Sequence, residues 1–254
     1  MKLSGHTILI TGGASGIGFA FAERFMKSGN TVIVCGRRES KLKEAKEKYP
    51  ELITRVCDVT DETERLALFE WVKERHPGVN VLVNNAGIQQ RYHILKADVI
   101  DNWADYKKEI TVNMEAPIHL AMLFSQYFAK KPGKTAIINV TSGLAFTPMA
   151  IAPIYSSTKA ALHSFTMSLR HQLSEAGVDV IEVAPPAVNT DLGGVGLHDS
   201  GAPLDEFADA IFKGLEEGRL EIGYARSEKA LRMSRDEIDE SVSQMYSSLK
   251  HSIE

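Results

Sequence analysis

Ile8-Leu9-Ile10, followed by Thr11-Gly12-Gly13-Ala14-Ser15-Gly16-Ile17-Gly18, is the stretch that decides how this chain folds. The short apolar run predicts a buried strand. Beyond the glycines, Ile17, Phe21 and Phe25 fall four apart with Ala20 on the same face, which predicts a helix. Strand, glycine turn and helix in that order can form a phosphate cradle. Glycine lets the backbone turn sharply and approach a ligand, and a helix N-terminus offers free N–H groups and a positive dipole end. The spacing is Gly-x-x-x-Gly-x-Gly, which is neither the Gly-x-Gly-x-x-Gly dinucleotide fingerprint nor a P-loop. Taken alone, it fits a tight turn as well as a cradle.

Working outward, strands and helices alternate. Further strands are expected at Thr31 to Cys35, Ile53 to Cys57, Val79 to Val83, Thr135 to Val140, Val178 to Val183 and around Leu220 to Tyr224. Between them lie helical stretches: Ser40 to Tyr49, a Thr60-capped segment carrying Leu66, Phe69 and Val72, Tyr106 to Ala129, Pro153 to Ala176, and one with Leu204, Phe207, Ile211 and Leu215. That alternation predicts a doubly wound α/β fold: a parallel sheet with helices on both faces, in three layers. One domain is expected over 1–254, with a helical tail from about 227. The tail opens on a capping box, Ser234 to Glu237, and its stripe Ile238, Val242, Met245 and Leu249 is expected to pack on its own domain. The glycine-rich stretch from Pro185 to Pro203 lacks periodicity and reads as a lid.

Composition narrows the function classes. The 254 residues are 44% hydrophobic and 24% charged, ordinary for a soluble globular protein. A net charge of −4 supplies no basic field for nucleic acid or an anionic membrane. No signal-peptide pattern and no membrane-length apolar run occur, so a cytoplasmic protein is expected. Cys35 and Cys57 sit at predicted strand ends and read as buried thiols. The eight histidines are scattered and no metal motif is present, so no metal site is expected.

Tyr155-Ser156-Ser157-Thr158-Lys159 carries the chemistry, because Tyr155 and Lys159 share one face of a helix. A phenol of pKa about 10 is ionised to about one part in a thousand at pH 7. Bringing it to neutrality requires about 4 kcal/mol, and a unit charge about 4 Å away at an effective dielectric of about 20 supplies that much. Lys159 is the candidate for that charge.

The order Gly12-x-x-x-Gly16-x-Gly18, Asn84-Asn85-Ala86-Gly87, Asn113, Ser142 and Tyr155-x-x-x-Lys159 resembles the short-chain dehydrogenase/reductase family in its single-domain form of about 250 residues. The likeness covers residues from about Gly5 to Tyr224 and is similar to bacterial oxidoreductases of lipoteichoic-acid D-alanylation operons. It implies a Rossmann-like parallel sheet of seven strands. Tyr155 would exchange the proton, Lys159 would lower its pKa and hold the nicotinamide ribose, Ser142 would bond the substrate oxygen, and Asn113 would hold a water in a proton relay. It also implies that Gly12, Ser15, Gly16, Ile17 and Gly18 cradle the cofactor, and that Asp58 and Val59 contact adenine. Asn85, Ala86 and Gly87 would wall the central strand, with Val188 and Thr190 at the carboxamide end. The expected reaction is hydride transfer between a nicotinamide and a small-molecule carbonyl or secondary alcohol. A homodimer or homotetramer is implied, packed through the helices bearing Asn113 and Tyr155. Ala161, Leu162, Ser164, Phe165, Ser168 and Leu169 are compatible with that face or with an internal one.

The end of the second strand carries Gly36-Arg37-Arg38 in place of an acid that would bind a ribose 2′-hydroxyl. Arg37 and Arg38 suit a 2′-phosphate, so NADP(H) is expected over NAD(H), which stays possible. Pro185-Pro186 departs from the family's Pro-Gly and removes an N–H beside the nicotinamide. The substrate pocket is expected from Gln89, Gln90 and Tyr92, from Leu144 to Met149, and from the Pro186 to Pro203 loop, with Phe146, Met149 and Leu192 apolar. His163 is expected to be structural or at the surface. A non-catalytic NADP(H)-sensing regulator is the alternative from a different class. The intact set Asn113, Ser142, Tyr155 and Lys159 argues against it.

Overall fold

Branched apolar residues dominate the strands because both faces of the sheet are covered. The computed structural model describes residues 2–194 and 196–250. Within them, β1 (Thr7–Thr11), β2 (Thr31–Gly36), β3 (Ile53–Val56), β4 (Val79–Asn84), β5 (Thr135–Val140), β6 (Val178–Ala184) and β7 (Glu221–Gly223) form one parallel sheet. Its order is β3-β2-β1-β4-β5-β6-β7. The alternation of side chains divides the core in two. Ile8, Ile10, Val32, Val34, Val81 and Val83 face α1 (Gly16–Lys27), α2 (Glu39–Lys48) and α7 (Leu204–Glu216). Leu9, Ile33, Leu82 and Ile137 face α3 (Glu62–Arg75), α5 (Ala116–Phe128) and α6 (Pro153–Leu173). The first core is closed by rings: Phe25 lies 4.6 Å from Phe212, and Phe21 lies 6.2 Å from Phe207. The chain reverses direction across the sheet between β1 and β4, which opens a crevice at their C-terminal ends.

Several local expectations are corrected. Asp61, not Thr60, caps α3: its carboxylate accepts from the N–H groups of Thr63 and Glu64, while Thr60 turns back to Asp58. The buried stripe of α3 is Arg65, Leu68 and Val72, and Leu66 is exposed. The single helix expected from Tyr106 to Ala129 is three pieces: α4 (Trp103–Ile110), a π-turn (Thr111–Glu115) and α5. The loop after β6 is pinched at its base. Val188 bridges Ala202, and Asn189 donates to the Ala202 carbonyl at 2.9 Å. Cys35 and Cys57 are buried free thiols.

After β7 the chain forms α8 (Arg226–Ala230) and α9 (Arg235–Leu249). The capping box of α9 is formed, and of its stripe Met245 and Leu249 lie against Met149, Ile151, Ala152 and Tyr155 of the same chain. Among the described residues, no helix is long and apolar enough to cross a membrane.

Candidate active site

The glycine turn is locked to the loop after β4. Gly12 and Gly16 adopt φ values of +64° and +52°, where a side chain is strained. A Cβ on Gly18 would lie 2.4 Å from Asn85 Nδ2. That amide donates to the carbonyls of Thr11 at 3.0 Å and Gly12 at 3.2 Å, while Thr11 Oγ1 accepts from the N–H groups of Asn85 and Ala86. Thr190 packs over Gly16, its Cγ2 3.5 Å from where a Cβ would stand. The sequence thus brings Gly12, Gly16, Gly18, Asn85, Ala86 and Thr190 to the β1/β4 crevice. Ser15 holds the N-cap position of α1 without capping it by side chain, and accepts from Arg38 Nη2 at 2.9 Å. This cradle fits a dinucleotide: backbone stands where a Cβ on Gly12 or Gly18 would go, and a helix N-terminus faces the turn.

At the far edge, a Cβ on Gly36 would meet open space. Arg37 and Arg38 are exposed beside it. Burial alone would raise the Asp58 pKa, but hydrogen bonds from the Thr60 backbone and hydroxyl, with the Arg37 charge, bring it below the usual carboxylate range. Sequence reasoning missed Arg65. It is fully buried, donating to the Val59 carbonyl at 2.7 Å, Glu115 Oε1 at 2.8 Å and His119 Nδ1 at 3.0 Å. It ties the Asp58-Val59 corner to the π-turn.

The reacting end is built by β5, the π-turn and α6. Ser142 follows β5 as the N-cap of the short turn Gly143–Ala145, and its Oγ accepts from the Leu144 N–H at 3.1 Å. Lys159 is buried, and its Nζ donates to the Val140 carbonyl at 2.8 Å. Asn113 is also buried. Its Oδ1 accepts from the Ile88 N–H at 2.9 Å, and its Nδ2 donates to the Ile88 carbonyl at 2.8 Å and Thr158 Oγ1 at 3.3 Å. Gly87 admits these groups: a Cβ there would stand 3.4 Å from Asn113 Oδ1 and 3.7 Å from Lys159 Nζ.

The expected lowering of the Tyr155 pKa is not what the geometry gives. Burial pushes its phenol up to about 12, against a hydrogen bond with Ser142 and with a further push from Glu109. Burial also holds Lys159 down to about 8. Its Nζ is 5.6 Å from the Tyr155 ring centroid, so desolvation outweighs the attraction.

Three comparisons bear on this arrangement. The sequence profile of the short chain dehydrogenase family matches residues 6–198. The chain belongs to that family. It is 44% identical over 253 residues to the uncharacterized oxidoreductase DltE of Bacillus subtilis, covering 96% of this chain and 98% of the relative. Among solved structures, it resembles a short chain dehydrogenase from Burkholderia cenocepacia in complex with NADP, at a TM-score of 0.79 and 24% identity. That match covers 95% of this chain and 99% of the other. It also resembles a 3-ketoacyl-(acyl-carrier-protein) reductase from Brucella melitensis complexed with NADH, at 0.78 and 24%, covering 89% and 100%. At that identity the two structures speak to the fold.

Beyond the family's motifs, the structure shows a second polar layer. Glu109, on α4, is fully buried, and its Oε1 accepts from the Gln90 N–H at 2.9 Å. Burial lifts this carboxyl to about 7, although the Gln90 hydrogen bond opposes the rise. His163 is structural, as expected: Nδ1 meets buried Glu182 at 2.8 Å, and Thr141 donates to the same carboxylate at 2.6 Å. Hydrogen bonding to Glu182 raises the His163 pKa against the effect of burial. Phe146 does not face the pocket cluster; its ring packs 4.5 Å from His163. Met149, Leu144 and Leu192 do pack around Tyr155. Pro185 accepts from the Gly143 N–H at 2.8 Å, which fixes the turn carrying the departure at Pro186. A cavity of about 640 Å³ lies on this side, lined by Gln89, Gln90, Arg91, Tyr92, His93, Gly193 and Leu197. Gln89, Gln90 and Tyr92 line it, together with Arg91 and His93, which the sequence reading did not single out.

Proposed function

We propose that this family member reduces a small-molecule carbonyl to an alcohol with NADPH. The convergence of Ser142 and Lys159 on Tyr155 at the crevice carries the reading. The bound nicotinamide would supply the hydride. At pH 7 Tyr155, with a pKa of about 12, is a neutral phenol. It is therefore already the acid that carbonyl reduction needs, and it would donate its proton to the developing alkoxide. Ser142 Oγ would orient the substrate oxygen. Lys159, still mostly cationic with a pKa of about 8, would stabilise the phenolate as it forms. The Asn113 side chain is fully engaged with Ile88 and Thr158, so it acts as the clamp on the loop after β4. Any water in the relay would then rest on backbone groups of the π-turn.

NADP(H) over NAD(H) is supported by Arg38 bonded to Ser15, by Arg37 next to it and by the absence of an acid at Gly36. Gly12, Ser15, Gly16, Ile17 and Gly18 would hold the pyrophosphate, Asp58 and Val59 the adenine, Asn85 to Gly87 the central wall, and Val188 and Thr190 the carboxamide. Assembly through α5 and α6 belongs to the same reading. Met122 and Met167 are exposed on those helices, Ser164 and Ser168 face outward, and Leu162 and Leu169 are internal. Light scattering tests that assembly.

NADPH oxidation measured against a panel of ketones, aldehydes and diones tests the reaction. Turnover of a carbonyl is the expected result. Tight NADPH binding without turnover of any would favour the sensing alternative.

A further inference from the structure

Six arginines are partly or fully covered: Arg65 is buried, and Arg24, Arg55, Arg91, Arg170 and Arg219 are half-buried. Arg24, Arg65, Arg170 and Arg219 each pair with a carboxylate, and Arg55 stacks on Trp71. Arg91 has neither kind of partner among the described residues, and its Nε is sealed from water without a hydrogen bond. A guanidinium cannot shed its proton to escape such a site. The charge therefore stays on the half-buried Arg91, where water in the cavity or an anion must meet it.

The surroundings are built in the same sense. The segment after β4 is pinned through alternate residues: Ile88 by Asn113, Gln90 by Glu109, and Tyr92 by the Ile151 carbonyl. All five residues from Gln89 to His93 line the cavity. His198, from the loop after β6, is buried within the field of Arg91, and its Nε2 has no partner. Gln89 is buried as well, and its Oε1 is also unpartnered. Glu109 bonds Gln90, and among the described residues no carboxylate forms an ion pair with Arg91.

We propose that Arg91, with Gln89 in the same cavity wall, binds an anionic oxygen group of the carbonyl substrate, so that the protein acts on oxo acids or phosphorylated carbonyls in preference to neutral ketones. This rests on the carbonyl-reductase reading and names its substrate class. Carboxylate and phosphate ester share the geometry that a guanidinium fork recognises. The planar fork fixes where the anion sits, and so how far the reacting carbonyl reaches toward Tyr155.

The test uses the full chain with NADPH and two matched pairs: levulinate with its methyl ester, and dihydroxyacetone phosphate with dihydroxyacetone. Turnover is measured for each member. Calorimetric titration into the NADP⁺ complex reads binding without chemistry. The charged member of at least one pair should be favoured by about tenfold or more, and the pair that responds tells carboxylate from phosphate. Arg91→Met should bring that ratio to about unity, and Arg91→Lys should keep part of it. Equal use of charged and neutral members by the wild type, or parallel losses on both in Arg91→Met, overturns the anion subsite. No NADPH oxidation with any member, together with Arg91-dependent binding of the anions, would instead sink the reductase reading and leave the subsite standing.

Discussion

Two regions meet at Tyr155, and they are held in opposite ways. On the cofactor side the polar groups are matched to one another. Asn85 bonds two carbonyls of the glycine turn, Thr11 takes two N–H groups, and Arg65 donates three times. On the substrate side, buried polar atoms are left over: Gln89 Oε1, Arg91 Nε, Glu109 Oε2 and His198 Nε2. Only Asn84 Oδ1 among the described residues is stranded elsewhere. A leftover donor or acceptor costs stability in the folded chain, and a ligand that engages it recovers that cost. In the first region the buried side chains other than Asn84 are partnered within the chain, and the start of α1 leaves backbone N–H groups free. The second is shaped as if part of its hydrogen bonding were to come from outside.

The strongest way to break this contrast is at the residue that joins the two regions. Tyr155→Phe removes the phenolic hydroxyl, and with it the proton donor and the hydrogen bond to Ser142, and leaves the ring in place. It should lower kcat by about a thousandfold, with NADPH affinity, read by nucleotide fluorescence, within about twofold. A comparable loss of NADPH binding would mean that the phenol belongs to the cofactor side.

Glu109 tests whether the leftover groups on the substrate side carry a real energetic penalty. Its folded pKa of about 7 lies above the ordinary 4.5, so the folded protein binds the extra proton between those values. Stability from this group is full below about pH 4.5 and is lost as pH rises through about 7, a difference of about 3 kcal/mol. Glu109→Gln still offers an oxygen to the Gln90 N–H and has nothing to titrate. Urea midpoints at pH 5 and pH 8 should therefore differ less in this variant than in the wild type. An unchanged difference would show that Glu109 is solvated in solution.

Arg37→Ala sharpens the cofactor side. It should weaken NADPH about tenfold or more and leave NADH nearly unaffected. Equal losses would remove the 2′-phosphate argument.

The same contrast explains what could be read from the amino acids. The glycine turn was legible because its constraints are on the backbone: Gly12 and Gly16 need positive φ and Gly18 has no room for a Cβ, so the residue type declares the geometry. The alternating apolar runs gave the sheet for an equally local reason. Arg65, Arg91 and Glu109 were passed over because a charged residue in a sequence looks like surface. Arg65 could have been found, since Arg65, Leu68 and Val72 share a helix face, while the choice of Leu66 followed hydrophobicity instead. The π-turn at Asn113 had no signal, because one extra residue in a turn barely disturbs a helical pattern. Burial likewise reversed the expected Tyr155 shift, since desolvation depends on neighbours far along the chain.

The smallest expected effect concerns α9, and it asks where the substrate region ends. No residue of this helix is fully buried, so the fold depends little on it. Yet Met245 and Leu249 reach the cluster containing Tyr155, Met149 and Ile151. A helix held mainly by its contacts at the pocket is poorly suited to stabilising the sheet and well suited to shaping what enters. Ending the chain after Met233 should therefore raise KM for the carbonyl substrate several-fold while Tm falls by only a few degrees. NADPH affinity should stay level, because the glycine turn lies among groups that α9 does not touch. If NADPH binding fell together with substrate binding, the two regions would not be separately held. If neither moved, the substrate region would end at the loop carrying Leu192 and His198.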